Sequence, residues 1–228
     1  LWPLRGPLRI MGIPDASYKK NEDKSSQRAH TIFMVEPRKL SRDTSISGNN
    51  SSAFADTRGS LVDYESHKIT STTMSTTVAE LYSLMRCFGS CLFLKGLWAD
   101  LTGEISEIHL RTDANNLVTT ARTTHQAEQK ETIHLIQMLR KESNSGQLDD
   151  LAHVASEFCL ADCLTKHSAR ADELVRALET GTLRQVDKNP PFRTLIKHKA
   201  FLTLWVWKII KTPNSVYTVL GETVVEDM

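Results

Sequence analysis

Hydrophobic spacing in this chain changes period at Ser75. Before it, apolar residues fall in short β-branched or alternating runs. After it, Val78, Leu81, Tyr82, Met85, Phe88 and Leu92 return at steps of three and four. Period two builds a pleated strand, whereas steps of three and four build one face of a helix. Three successive strands are therefore expected, at residues 9–18 (RIMGIPDASY), 31–35 (TIFMV) and 61–70 (LVDYESHKIT). A long amphipathic helix should follow, with Ser75 or Thr76 as its N-cap and Glu80 in its first turns.

Downstream the two periods alternate. Ile105, Ile108 and Leu110 alternate with polar neighbours and predict a fourth strand ending at Asp113. A short helix at 116–123, a charged helix at 126–142, a fifth strand at 148–155 and a last helix at 158–180 follow, with Gly181 as the stop. The order β-β-β-α-β-α-α-β-α predicts an α/β fold: a mixed five-stranded sheet with helices on its faces. Residues 1–8 read as a connection and 9–181 as the domain. Within it, the Ser- and Asn-rich stretch 41–60 reads as a flexible insertion, and 182–228 as a C-terminal extension without an assigned role.

Composition narrows the class. With 228 residues, 40% hydrophobic and 24% charged, the chain fits one ordinary globular domain plus extensions. A net charge of +1 does not call for a polyanionic partner, so nucleic-acid binding would have to rest on local charge. Four cysteines are no disulfide framework, and a reducing, intracellular setting, cytoplasmic or nuclear, is expected. Cys87 and Cys91, and Cys159 and Cys163, are spaced to share a helix face, which suits buried core cysteines better than a zinc site. The chain opens on Leu1 rather than Met, as expected of a segment of a longer polyprotein, and its start lacks the pattern of a signal peptide. Its most apolar run, Phe201 to Ile210, is interrupted by Lys208 and falls short of the about 20 residues a spanning helix needs, so no membrane span is expected.

Four acidic residues fall at element ends: Asp15, Glu80, Asp113 and Asp162. In a compact α/β sheet such ends can converge. Converging carboxylates repel and raise one another's pKa unless a divalent cation neutralises them. Mg²⁺ prefers oxygen ligands and completes its shell with water or phosphate oxygens. Two such ions about 4 Å apart can promote phosphodiester hydrolysis.

Beside Asp15, the basic residues Lys19, Lys20, Lys24 and Arg28 are candidates to hold a phosphate backbone, or else form a solvated turn. Asn115 and Asn116 follow Asp113 and suit either contact to 2′-hydroxyls or a helix cap. His125, His134 and His153 read as ordinary helix or strand residues. Trp205 and Trp207 suit a terminal strand packed on the domain, with base stacking as the alternative.

Four segments carry a family resemblance. GIPDASY at 12–18 with KSS at 24–26, STTVAELYSL at 75–84, RTDANN at 111–116 and VASEFCLADCLTK at 154–166 resemble, in order, the motifs of the ribonuclease H domain that ends copia-type retrotransposon reverse transcriptases. The resemblance spans about residues 9–180. It implies the ribonuclease H fold, two Mg²⁺ (or Mn²⁺) ions and hydrolysis of the RNA strand of RNA–DNA hybrids. It also implies a polymerase domain in the same polyprotein, and Asp15, Glu80, Asp113 and Asp162 as the catalytic metal-binding acids. Only the resemblance makes His125, His134 and His153 candidates for a proton-carrying group near the last carboxylate. Ala114, Cys159, Tyr64 and His134 depart from the family pattern and mark a divergent copy. Two alternatives stand beside this reading. One is an integrase-like core, whose glutamate comes late in the chain, unlike Glu80. The other is a catalytically inactive hybrid-binding or structural remnant of a retroelement.

Overall fold

A computed structural model describes residues 4–19, 21, 23–37, 55–70, 73–123, 130–166, 169–185, 216–219 and 222–225. The first three strands are β1 (Arg9–Ser17), β2 (Ser26–Val35) and β3 (Ala55–Ile69). They are followed by α1 (Thr76–Thr102), β4 (Glu107–Thr112), α2 (Asn115–Arg122), α3 (Lys130–Ser145) and β5 (Asp150–His153). The chain continues through a 3-10 turn at Ser156–Phe158 into α4 (Asp162–Thr165), α5 (Asp172–Thr180) and β6 (Thr182–Gln185). Two further strands, β7 (Val216–Val219) and β8 (Glu222–Val225), pair with each other.

The expected mixed α/β sheet is present, with one strand more than the five read from sequence. Its order is β5-β4-β1-β2-β3-β6. β2 is antiparallel to both β1 and β3, so β3 runs parallel to β1; β4 and β5 are parallel to β1 as well. Four strands thus point toward one end of the sheet. β6 adds an antiparallel edge to the start of β3, pairing Ala55 with Gln185 and Arg58 with Thr182. Of the stretch read as an insertion, Ala55–Ser60 belong to β3 and 41–54 lie outside the described residues.

The periodic helix begins where its capping residue dictates. Ser75 accepts a hydrogen bond from the Val78 N–H at 3.3 Å, and Gly103, in the left-handed region at φ 73°, closes the other end. At 27 residues, α1 is long and apolar enough by composition to cross a membrane, but half of the relevant stretch is buried inside the domain. It packs on β1, β2 and β4. One core joins Ile10, Ile32, Leu81, Leu84, Phe88, Ile108 and Leu110 on the face covered by α1, α2 and α3. A second, with Met11, Ile13, Phe33, Cys159, Leu160 and Ala177, lies on the opposite face. Each large side chain buried here contributes about 1.5–3 kcal/mol.

The expected single helix over 158–180 is three short pieces. Lys166 ends α4 in extended geometry (φ −129°), and the Thr165 side chain reaches back to Asp15 and to the Asp162 carbonyl instead of letting the helix run on. Gly181 does terminate α5, at φ 63°. Cys159 and Cys163 therefore do not share a helix face, whereas Cys87 and Cys91 do, fully buried against β1.

That contact depends on Gly12. A Cβ there would meet Cys87 Sγ at 2.5 Å, Leu110 Cδ2 at 2.8 Å and Cys91 Sγ at 2.9 Å. Gly12→Ala is expected to destabilise the domain by about 1–3 kcal/mol in denaturant unfolding, with partial recovery in Gly12→Ala/Cys87→Ala, where the nearest clash is removed.

Candidate active site

The sheet's topology determines which acids meet. β1 and β4 pair in parallel at Gly12–Leu110, and three residues further along each strand direction stand Asp15 and Asp113. Adjacent strands lie about 4.8 Å apart, so the two carboxylates become neighbours on one face. Oxygens of Asp15 and Asp113 and the sulfur of Cys159 all lie within 4.8 Å of one another. Glu80, on the second turn of α1, enters from the other side of the strand ends and senses the charges of Asp15 and Asp113. Asp162, the first residue of α4, adds its charge to the same spot.

Asp15 is completely buried. Its backbone carbonyl accepts a 2.8 Å bond from Ser83 Oγ, which also donates to Ala29 O at 2.8 Å and so locks α1 to the β1–β2 pair. Thr165 Oγ1 donates to Asp15 Oδ2. Lys166 Nζ lies 3.5 Å from Asp15 Oδ1 and pairs with Asp162 Oδ1. Asp113 accepts from Ser156 Oγ at 3.1 Å. Ser83, Thr165 and Lys166 were not singled out in the sequence, although Thr165 and Lys166 close its fourth motif.

The electrostatics follow from burial without full compensation. Desolvation, with the charges of Asp113 and Asp162, raises the Asp15 carboxyl to about 6 against the pull of Thr165 and Lys166. Desolvation, then the charges of Asp15 and Asp113, raises Glu80 to about 9. Burial, followed by the same carboxylates, pushes the Cys159 thiol up. Burial alone would depress the Lys166 ammonium, but its bond to Asp162 and the nearby Asp15 raise it. Asp15 Oδ1 and Glu80 Oε2 are buried with no hydrogen-bond partner among the described residues. A buried Glu80 oxygen without a donor, and an Asp15 oxygen met by the Lys166 ammonium only at 3.5 Å, leave the acidic cluster short of positive charge, and this oxygen donor set fits Mg²⁺ or Mn²⁺.

The remaining expected residues separate into groups. Lys19 and Lys24 are exposed on the β1–β2 turn, at the Asp15 end of the sheet, with φ of 50° and 58°. Lys20 lies outside the described residues. Arg28 is committed elsewhere: its guanidinium bonds Glu65 at 2.9 Å, as Arg86 does at 3.0 Å. Asn115 and Asn116 are exposed at the start of α2, but neither caps it; Ala114 stands at the cap, and Asn116 Nδ2 instead reaches Thr77 Oγ1 at 3.1 Å. His134 is exposed on α3 and His153 ends β5, while His125, Trp205 and Trp207 lie outside the described residues.

Fold and site together define an α/β domain with an acidic cluster at the ends of its central parallel strands. No protein-family model and no curated protein matches the chain. Solved structures similar to it include the LC11 ribonuclease H1 recovered from compost, determined with an RNA/DNA hybrid (15% identity, TM-score 0.42, 75% of this chain and 98% of that one). Others are the N-terminal ribonuclease H domain of Rv2228c from Mycobacterium tuberculosis (10%, 0.44, 76% and 98%) and ribonuclease H1 from the archaeon Halobacterium salinarum NRC-1 (16%, 0.40, 74% and 99%).

The raised carboxyls make stability depend on pH in a defined direction. Glu80 titrates above its ordinary value of 4.5 in the folded chain, so its contribution is complete below pH 4.5 and is lost as pH rises to about 9. Asp15 acts alike between 3.8 and about 6. With chelator present, Tm is expected to fall with rising pH across this window, and Glu80→Gln or added Mg²⁺ should flatten the upper part of the fall. A metal-free Tm that is level across the window contradicts the buried cluster.

Proposed function

We propose that this chain is a metal-dependent endonuclease that hydrolyses the RNA strand of RNA–DNA hybrids, as the ribonuclease H domain of a copia-type retrotransposon polyprotein. The observation that carries the reading is the convergence of Asp15, Glu80, Asp113 and Asp162, from four separate elements, on one buried and under-neutralised spot. The ordered motifs in the sequence and the mixed sheet with its β1-to-β4 parallel pairing support it as well. A polymerase domain in the same polyprotein is the expected covalent partner.

In this reading Asp15, Glu80, Asp113 and Asp162 hold two Mg²⁺ ions. When bound, these activate water and stabilise the leaving oxygen of the scissile phosphodiester. The chain's own groups do the rest. Ser83 and Thr165 fix Asp15 from its carbonyl and its carboxylate, and Ser156 orients Asp113. Lys19 and Lys24 stand on the turn next to the site, where they can meet phosphates without reading sequence. Arg28, tied to Glu65, supports the sheet rather than the substrate. Asn115 is exposed two residues past Asp113 and in this reading would meet the groove of the hybrid, where a 2′-hydroxyl distinguishes RNA.

One observation favours a second reading, a hybrid-binding remnant without cleavage. Lys166 already sets a positive charge between Asp15 and Asp162, where a working site needs room for a cation.

Incubation with a labelled RNA–DNA hybrid and Mg²⁺ separates the two. Cleavage of the RNA strand is expected, with a loss of about a hundredfold or more in Asp113→Asn, because a charged ligand worth several kcal/mol in the transition state disappears. Binding without cleavage at any Mg²⁺ concentration supports the remnant. Lys19→Ala/Lys24→Ala should weaken hybrid binding evenly across sequences and lower the salt slope by about one for each lysine.

A further inference from the structure

The most unusual member of the acidic cluster is not an acid. Cys159 is buried, and its sulfur lies within 4.8 Å of carboxylate oxygens of both Asp15 and Asp113. Its weak contact to Pro14 O, at 3.7 Å, holds the side chain over the end of β1. A zinc-like ion sits about 2.3 Å from sulfur and about 2.0 Å from a carboxylate oxygen, so in its tetrahedral shell a sulfur and an oxygen ligand lie about 3.5 Å apart. The three donor atoms thus span a distance that one ion closes with small side-chain rotations. A second observation points to a ligand at the same place. Glu80, a buried side chain of the same cluster, has its Oε2 without a hydrogen-bond partner among the described residues. Cys159 also lines a cleft of about 290 Å³ together with Ser156, Asp162, Cys163, Arg170 and Glu173.

We infer that Cys159, Asp15 and Asp113 form a mixed thiolate–carboxylate site for a thiophilic divalent cation of the Zn²⁺ or Cd²⁺ kind. This rests on the proposed metal-binding role of the carboxylates and adds a donor that an all-oxygen site lacks. Hard ions such as Mg²⁺ gain nothing from sulfur, whereas softer ones do. On binding, the S–H bond breaks, a sulfur–metal bond forms and the proton passes to solvent, with no change of oxidation state. A thiophilic ion seated there occupies oxygens of Asp15 and Asp113 that the Mg²⁺ ions need. The consequence is competition: Zn²⁺ or Cd²⁺ excludes Mg²⁺ from this corner.

The test is a titration of the full-length chain with Cd²⁺, followed by the ultraviolet charge-transfer absorption of a cadmium–thiolate bond. The wild type is expected to show a saturable band that Zn²⁺ displaces, and Cys163→Ser is expected to retain it. Cys159→Ser should lose the band. Asp113→Asn, a substitution at a half-exposed position, should keep the band at saturation but weaken Cd²⁺ binding at least about tenfold. Circular dichroism checks that each variant is folded, and the Asp113→Asn titration decides the matter if Cys159→Ser is not. No band in the wild type, a full band in Cys159→Ser, loss only in Cys163→Ser, or no weakening in Asp113→Asn overturns the assignment. Hybrid cleavage with Mg²⁺ is scored separately. Cleavage without the band removes the thiolate site and keeps the nuclease, whereas the band without cleavage does the reverse.

Discussion

The parallel direction shared by β1, β3, β4 and β5 is the constraint on which the rest of the structure depends. A chain that leaves such a strand and returns to another one must first travel back along the sheet, so every departure begins at the same end. Asp15 lies two residues before the end of β1, Glu80 lies in the second turn of the helix that follows β3, Asp113 immediately follows β4, and Asp162 comes after β5. Their convergence is therefore a consequence of strand direction rather than of any attraction between them. The carboxylates repel, and the sheet's core holds them together regardless. This is the general behaviour of open α/β sheets, where functional groups collect beyond the carboxyl ends of the strands.

Holding like charges at one place needs compensation, and the chain arranges it in layers. Thr165 supplies a hydroxyl donor to the Asp15 carboxylate, Ser156 supplies one to Asp113, and Lys166 supplies a charge shared between Asp15 and Asp162. These contacts do not suffice for Glu80, whose carboxyl burial, and then the charges of Asp15 and Asp113, push up to about 9. The residual deficit is an instability localised at the functional end, while the two cores on either side of the sheet contain no such conflict.

Much of this was legible in the sequence because it depends on period and on element ends. The switch from alternation to helical spacing located α1, and Ser75, one of the two caps read from sequence, is its N-cap. The ends of the predicted strands picked out Asp15 and Asp113. The segment 156–172 was not legible. Its apolar spacing suits one long helix, but the backbone turns extended at Lys166, where Thr165 bonds the Asp15 carboxylate on the sheet. Local propensity cannot register a partner 150 residues away along the chain. The partner of Arg28 was hidden for a related reason: proximity to Asp15 in sequence says nothing about Glu65, which stands opposite His30 in the β2–β3 ladder and bonds the Arg28 guanidinium. β6 was invisible because four residues carry too little pattern to distinguish an edge strand from a tail.

The β1–β2 turn shows how recognition and catalysis are divided in the proposed enzyme. Lys19 and Lys24 both adopt positive φ, which costs a non-glycine residue of order 1–3 kcal/mol and persists only where surroundings impose it. The surroundings are visible: Lys19 N–H donates to Ser26 Oγ, Asn21 holds Ser25, and Asp23 pairs with Lys68 on β3. The turn is thus tied to two strands, and its lysines project from a braced support rather than a slack loop. A braced cation loses less freedom on meeting a phosphate than a mobile one does. The backbone strain is the cost of fixing positive charge at the edge of an acidic cluster, where it can draw a polyanion toward carboxylates that would otherwise repel it.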